Sequence, residues 1–153
     1  MMDDLDQLEV FTQGLVESLS APARKTLARN IAKDLRASQA KRIADQRNPD
    51  GSAFEPRKPQ QRRKNSKQGR IKRTMFTKIR LNRYLKATAT ENSAAVEFSS
   101  KADRIAQVHQ YGLRDRVNRI RTLSVQYPVR QLLGFSDADK IHIKDLVIDH
   151  LAK

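Results

Sequence analysis

From Asn48 to about Arg70 the chain offers no route to a regular element, and this divides what it can fold into. Asn48-Pro49-Asp50-Gly51 is a strong turn signal, and Pro56 and Pro59 lack the amide hydrogen that a helix or a sheet ladder needs. The residues that follow are too charged to bury. Arg57 to Thr74 holds nine Lys or Arg among eighteen residues and no acid. A long loop is expected here, with order that depends on a partner. The 153 residues then suit one domain in three parts. Residues 1–46 form a helical pair, 47–70 a flexible basic loop, and 71–153 an α+β core that ends in a helix.

Before the loop the apolar spacing is helical. Leu5, Leu8, Phe11, Leu15, Val16 and Leu19 form one stripe over residues 3–19, and the early Asp residues suit the positive end of a helix dipole. Ser20 reads as an N-cap with Pro22 in the first turn of a second helix that runs to about Gln46. Leu27, Ile31, Leu35 and Ile43 mark its inner face.

After the loop, residues 71–83 read as a short helix with Ile71, Met75, Ile79 and Leu81 inward. The period then changes to two. "YLKATAT" and "AAVEFS", on either side of Glu91-Asn92-Ser93, predict a β-hairpin. Residues 102–111 return to helical spacing, and Gly112 is placed to close that helix. "TLSVQYP" predicts a strand ended by Pro128. Between these lies "GLRDRVNRIR", which reads equally as a surface loop or a subunit contact. Ser136 and Asp139 resemble a capping box at the head of the last helix. Its apolar residues Ile141, Ile143, Leu146, Val147, Ile148 and Leu151 cover more than half its circumference. One flat surface cannot bury them all, so a second element or another subunit is expected to cover part of them. The fold class is α+β, with an N-terminal helical pair, a long basic loop, a small antiparallel sheet with short helices, and a C-terminal helix.

Charge narrows the function. Of a net +14, residues 1–20 contribute −5 with no base, and residues 57–86 contribute +13 with no acid. The excess is thus a local device. It fits phosphates or an acidic protein surface, although Phe76 and Tyr84 alone offer little base stacking. No cysteine is present, which excludes disulfides and thiolate metal sites. No apolar run approaches the roughly 20 residues of a membrane span, and the acidic N-terminus is unlike a signal peptide, so an intracellular soluble product without a membrane partner is expected. The five glycines are isolated, so none builds a phosphate-binding loop, and no Ser sits in a nucleophile elbow. His142, Asp145 and Asp149 share a helix face but read as a solvated stripe, and His109 reads as a half-buried histidine with a hydrogen-bond partner. The expectation is a non-enzyme with no cofactor and no metal.

Three segments in order, "QRNPDGSAFEPRK" (46–58), "RIAQVHQYGLRDRV" (104–117) and "YPVRQLLGFSDAD" (127–139), resemble the phage virion morphogenesis family of tail completion proteins from contractile-tailed phages. The resemblance implies a structural protein that caps or completes the tail and prepares it for head–tail joining. It implies a homo-oligomeric ring, with a hexamer as the first expectation, and partners among tail tube, sheath and head–neck proteins. Its setting would be the host cytoplasm during assembly and then the virion tail or neck. Assembly contacts are expected at Arg57, Lys58, Arg62, Arg63, Lys64, Lys67, Arg70, Arg114, Arg116 and Arg130, the last against an acid of a neighbouring subunit. Shaped turns are expected at Asn48, Pro49, Asp50, Gly51, Gly112, Pro128 and Gly134. DNA contact in a ring lumen stays open. The alternative is a small phage-encoded nucleic-acid-binding protein that uses residues 57–86 as an electrostatic arm.

Overall fold

The structure is a computed structural model that describes residues 10, 13–14, 16–17, 19–58, 74–117 and 122–153. The expected helix over 3–19 lies mostly outside the described residues, as do Arg62, Arg63, Lys64, Lys67 and Arg70. The architecture is α+β, with helices α1 (Ala21–Ala44), α2 (Ser100–Gln110) and α3 (Asp137–Leu151). Among the described residues two small antiparallel sheets accompany them, β1 (Leu85–Ala89) with β2 (Ala94–Phe98), and β3 (Arg114–Arg116) with β4 (Ser124–Gln126). Among the described residues no helix is long and apolar enough to cross a membrane.

α1 starts where the sequence predicts, with Ser20 as N-cap accepting from the Ala23 amide and Pro22 in the first turn. Its buried stripe is Ala28, Ala32, Leu35, Gln39 and Ile43, centred one residue beyond the expected Leu27 and Ile31. The small alanines let the β1–β2 hairpin lie close along the helix, and the larger neighbours flank the contact half-buried. The helix ends in a Schellman motif. Arg47 N donates to Arg42 O, Gln46 N donates to Ile43 O, and Gln46 takes the left-handed position with φ 58°.

The predicted hairpin forms with Leu85 opposite Phe98 and Ala89 opposite Ala94. α2 also ends in a Schellman motif, with Gly112 at φ 62° and Leu113 N donating to Val108 O. Two expectations change. Residues 77–83 are turns rather than a helix. Phe76 sits at φ 64°, and the Gln46 side chain takes both the N–H and the C=O of Met75, so the backbone groups a helix would need are spent. The "GLRDRV" stretch is no plain surface loop, because Arg114–Arg116 pairs with Ser124–Gln126 as β3. Its Arg-Asp-Arg sequence carries no apolar alternation to announce it.

The core is small and lies where the loop leaving α1 meets the rest. Ile43, Phe54, Met75, Ala106 and Leu132 form it, with Phe76, Ile79 and Phe98 packed against them. Residues 47–58 therefore belong to the folded body, with Phe54 buried and Arg47 bridged to Ala53. α3 carries the predicted capping box and lies on α1 through Ser38–Asp139 and Asp34–His142 bonds.

Candidate functional site

The three segments that carry the family resemblance converge on one junction at the C-terminal end of α1. Asn48 holds its own turn, with its amide donating to Ser52 O at 2.8 Å and Gly51 N donating to Asn48 O at 2.9 Å. Its side-chain oxygen accepts from Gln131 N at 2.9 Å, which ties that turn to the 127–134 segment. Asp50 accepts from the Ser52 hydroxyl and the Ser52 amide, and those bonds hold its carboxyl below the usual carboxylate range. Pro49 lies against Gly134, where an added Cβ would stand 2.6 Å from the proline Cγ. Gly112 is as tightly placed, since a Cβ there would meet Val129 Cγ2 at 2.7 Å. Pro128 is half-buried between them in sequence.

Arg130 closes the junction. Only 3% of its surface is exposed, so its expected subunit contact is replaced by internal partners. Its Nε donates to Glu55 O at 2.7 Å, Nη2 to Pro56 O at 3.2 Å, and Nη1 meets His109 Nδ1 at 3.0 Å. Burial, opposed by the charge of Glu55, lowers its pKa. The geometry makes His109 the acceptor of that guanidinium, so the neutral imidazole is the form that fits. Burial first, then the charges of Arg130 and Arg57, push His109 down to about 4. A run of edge-to-face rings passes through all three segments, from Phe54 to Phe76 at 5.9 Å, to His109 at 4.8 Å, and to Tyr127 at 5.0 Å.

Several supporting side chains escaped the sequence reading. Arg42 donates to the carbonyls of Arg47, Gln131 and Leu132. Gln110 exchanges two bonds with the Leu133 backbone, both at 2.9 Å. Gln126 donates to Gly112 O. Long polar side chains that bond distant backbone leave no periodic trace in a sequence. Gln46, the residue before "RNPDG", carries the one available hint, since a helix must end ahead of that turn.

The outer surface of the junction mixes cations with apolar groups. Arg57, Lys58, Arg114 and Arg116 are exposed. So are Leu113, Val117, Leu123, Val129 and Phe135, at 43–60% of their surfaces. Asp115 is held by Arg104. His142 pairs with Asp34 at 2.9 Å, and among the described residues no group of three or more His, Asp or Glu is placed to hold a metal. A buried clamp beneath a basic, apolar surface is suited to shaping a contact surface for another macromolecule.

The profile of the phage virion morphogenesis family matches residues 3–152. Tail completion protein S of Escherichia phage P2 is 40% identical over 153 residues, which are 99% of this chain and 100% of that protein. No solved structure matches the chain.

Proposed function

We propose that this chain, which belongs to the phage virion morphogenesis family, completes the phage tail as a subunit of a homo-oligomeric ring and readies it for joining to the head. The observation that carries the reading is the apolar surface left open around a small core. Leu113, Val117, Leu123, Val129 and Phe135 stand exposed beside the junction, and Ile141, Ile148 and Leu151 stand exposed on α3. Surface of this kind marks a protein made to be covered by others. The name of the phage P2 relative supports the tail as the place where that happens. The basic segment, from Arg57 through Arg62, Arg63, Lys64, Lys67 and Arg70, would then meet acidic faces of neighbouring tail or neck proteins. Its role is structural, with no bond made or broken.

The test is a phage lacking the gene, imaged by negative stain. Full heads and separate tails that fail to join are expected. Normal virions in its absence would overturn the reading. A second reading, contact with DNA passing the ring, is favoured by a ridge on α1 where Lys25, Arg29, Lys33 and Lys41 are all exposed. Lys25, Arg29 and Lys33 follow at four-residue steps of about 6 Å along the helix, a row of cations of the kind that meets strand phosphates. Steeply salt-dependent binding of duplex DNA, lost on changing the four to Gln, would support it, and binding unaffected by those changes would remove it.

A further inference from the structure

We infer that the acidic N-terminal segment of one copy docks on the basic, apolar β3–β4 hairpin of the next copy, closing the ring head to tail. The inference rests on the ring reading above and names the two halves of its interface.

Position comes first. α1 has 24 residues, a length of about 36 Å. Its first turn lies at the tip of the β1–β2 hairpin, where Arg24 Nε donates to Glu91 O at 3.3 Å. Its last turn lies at the junction, where Arg42 donates to Gln131 O and Leu132 O. β3 begins two residues after Gly112 of that same junction. The segment that precedes α1 is therefore attached at one pole, and the β3–β4 hairpin is rooted at the other. The length of α1 thus separates the root of the N-terminal segment from the root of the hairpin in its own chain. A neighbour related by rotation can bring its opposite pole alongside.

Chemistry comes second. Residues 1–20 hold Asp3, Asp4, Asp6, Glu9 and Glu17 without a base, beside an apolar stripe. The hairpin offers the complement. Val117 N donates to Leu123 O at 3.2 Å, which sets two exposed apolar side chains opposite each other at the hairpin's end. Arg114 and Arg116 are exposed beside them. The sole acid of this stretch, Asp115, is taken by Arg104. The open apolar face on α3 carries Lys140 and Lys144 together with Asp145 and Asp149, so it has no charge preference for an acidic segment. An interface between unlike surfaces is heterologous, and its repetition closes a ring or builds a filament.

The chain contains no cysteine, so introduced thiols report without background. Leu8→Cys and Leu123→Cys variants would be purified separately, mixed and oxidised. A disulfide-linked pair of chains is expected in the mixture, with little when Ile148→Cys replaces Leu123→Cys. A Leu8→Cys/Leu123→Cys double variant that links only within a single chain would overturn the inference. So would preferential linking to Ile148→Cys. Charge exchange supplies the independent readout. Changing Asp3, Asp4 and Asp6 to Lys should weaken self-association by more than about tenfold, and adding Arg114→Glu with Arg116→Glu in the same chain should restore it. Undiminished rings in the Lys variant would remove the docking while leaving the ring in place. Wild-type chains that are monomeric both in solution and on isolated tails would remove the ring itself.

Discussion

Arg130 shows how one side chain can organise a junction through backbone rather than through an ion pair. Its guanidinium satisfies two loop carbonyls and the neutral ring of His109, and this arrangement tolerates no second cation. Because burial lowers the His109 pKa from 6.5 to about 4, the unfolded chain binds the extra proton between those values. That part of the stability is complete above pH 6.5 and is lost as pH falls toward 4. Partial exposure of the ring reduces the effect to about 2 kcal/mol. Urea unfolding at neutral and acid pH should show this slope in the wild type and its loss in His109→Gln. The glycines give a second prediction. Gly134→Ala meets the rigid Pro49 ring at 2.6 Å as well as a φ of 152°, and it should cost about 3 kcal/mol. Gly51→Ala at φ 86° meets nothing within 4 Å and should cost about 1 kcal/mol, both read from thermal or urea unfolding.

Elements in this protein are set by their ends more than by their middles. α1 and α2 both finish in Schellman motifs, one on Gln46 and one on Gly112. Glycine at such a position is legible in a sequence, and the end of α2 was predicted correctly. The sequence also ends α1 at about Gln46, but not its left-handed turn there, because a non-glycine residue in that position is held by its bonds to Met75, 29 positions away. The same bonds explain why 77–83 became turns although the residue spacing reads as helical. The capping box of α3 was legible because all its parts lie within four residues. Asp139 does more than cap, since it also accepts from Ser38 on α1. Burial raises its pKa, but the bonds from Ser38 and Ser136 and the charge of Arg42 outweigh that and hold it low. Ser136→Ala should therefore cost about 1 kcal/mol in unfolding experiments, and Asp139→Ala about 3 kcal/mol, because the second also removes the Ser38 bond, which together with the Asp34–His142 bond ties α3 to α1.

At the scale of the whole molecule, a small core supports a wide apolar exterior. On α3, Ile141 and Ile148 are 60% and 62% exposed, which agrees with the expectation that one surface could not bury the whole helix. Changing both to Ser should leave the unfolding midpoint within about 0.5 kcal/mol of wild type while lowering the yield of joined virions in a complementation assay. Arg62, Arg63 and Lys64 changed to Gln should likewise preserve the fold and lower that yield if the basic segment meets neighbouring proteins. By itself the sequence determined the α+β class, the β1–β2 hairpin, the capping box, the glycine helix end and the family. All of these depend on patterns spanning a few residues or on an ordered set of them. The tertiary structure alone decided that Arg130 turns inward, that Phe54 draws the loop into the core, that Arg114–Arg116 is a strand, and that three distant segments form one clamp. Those outcomes depend on hydrogen bonds and packing between residues up to 83 positions apart, and local spacing carries no record of them.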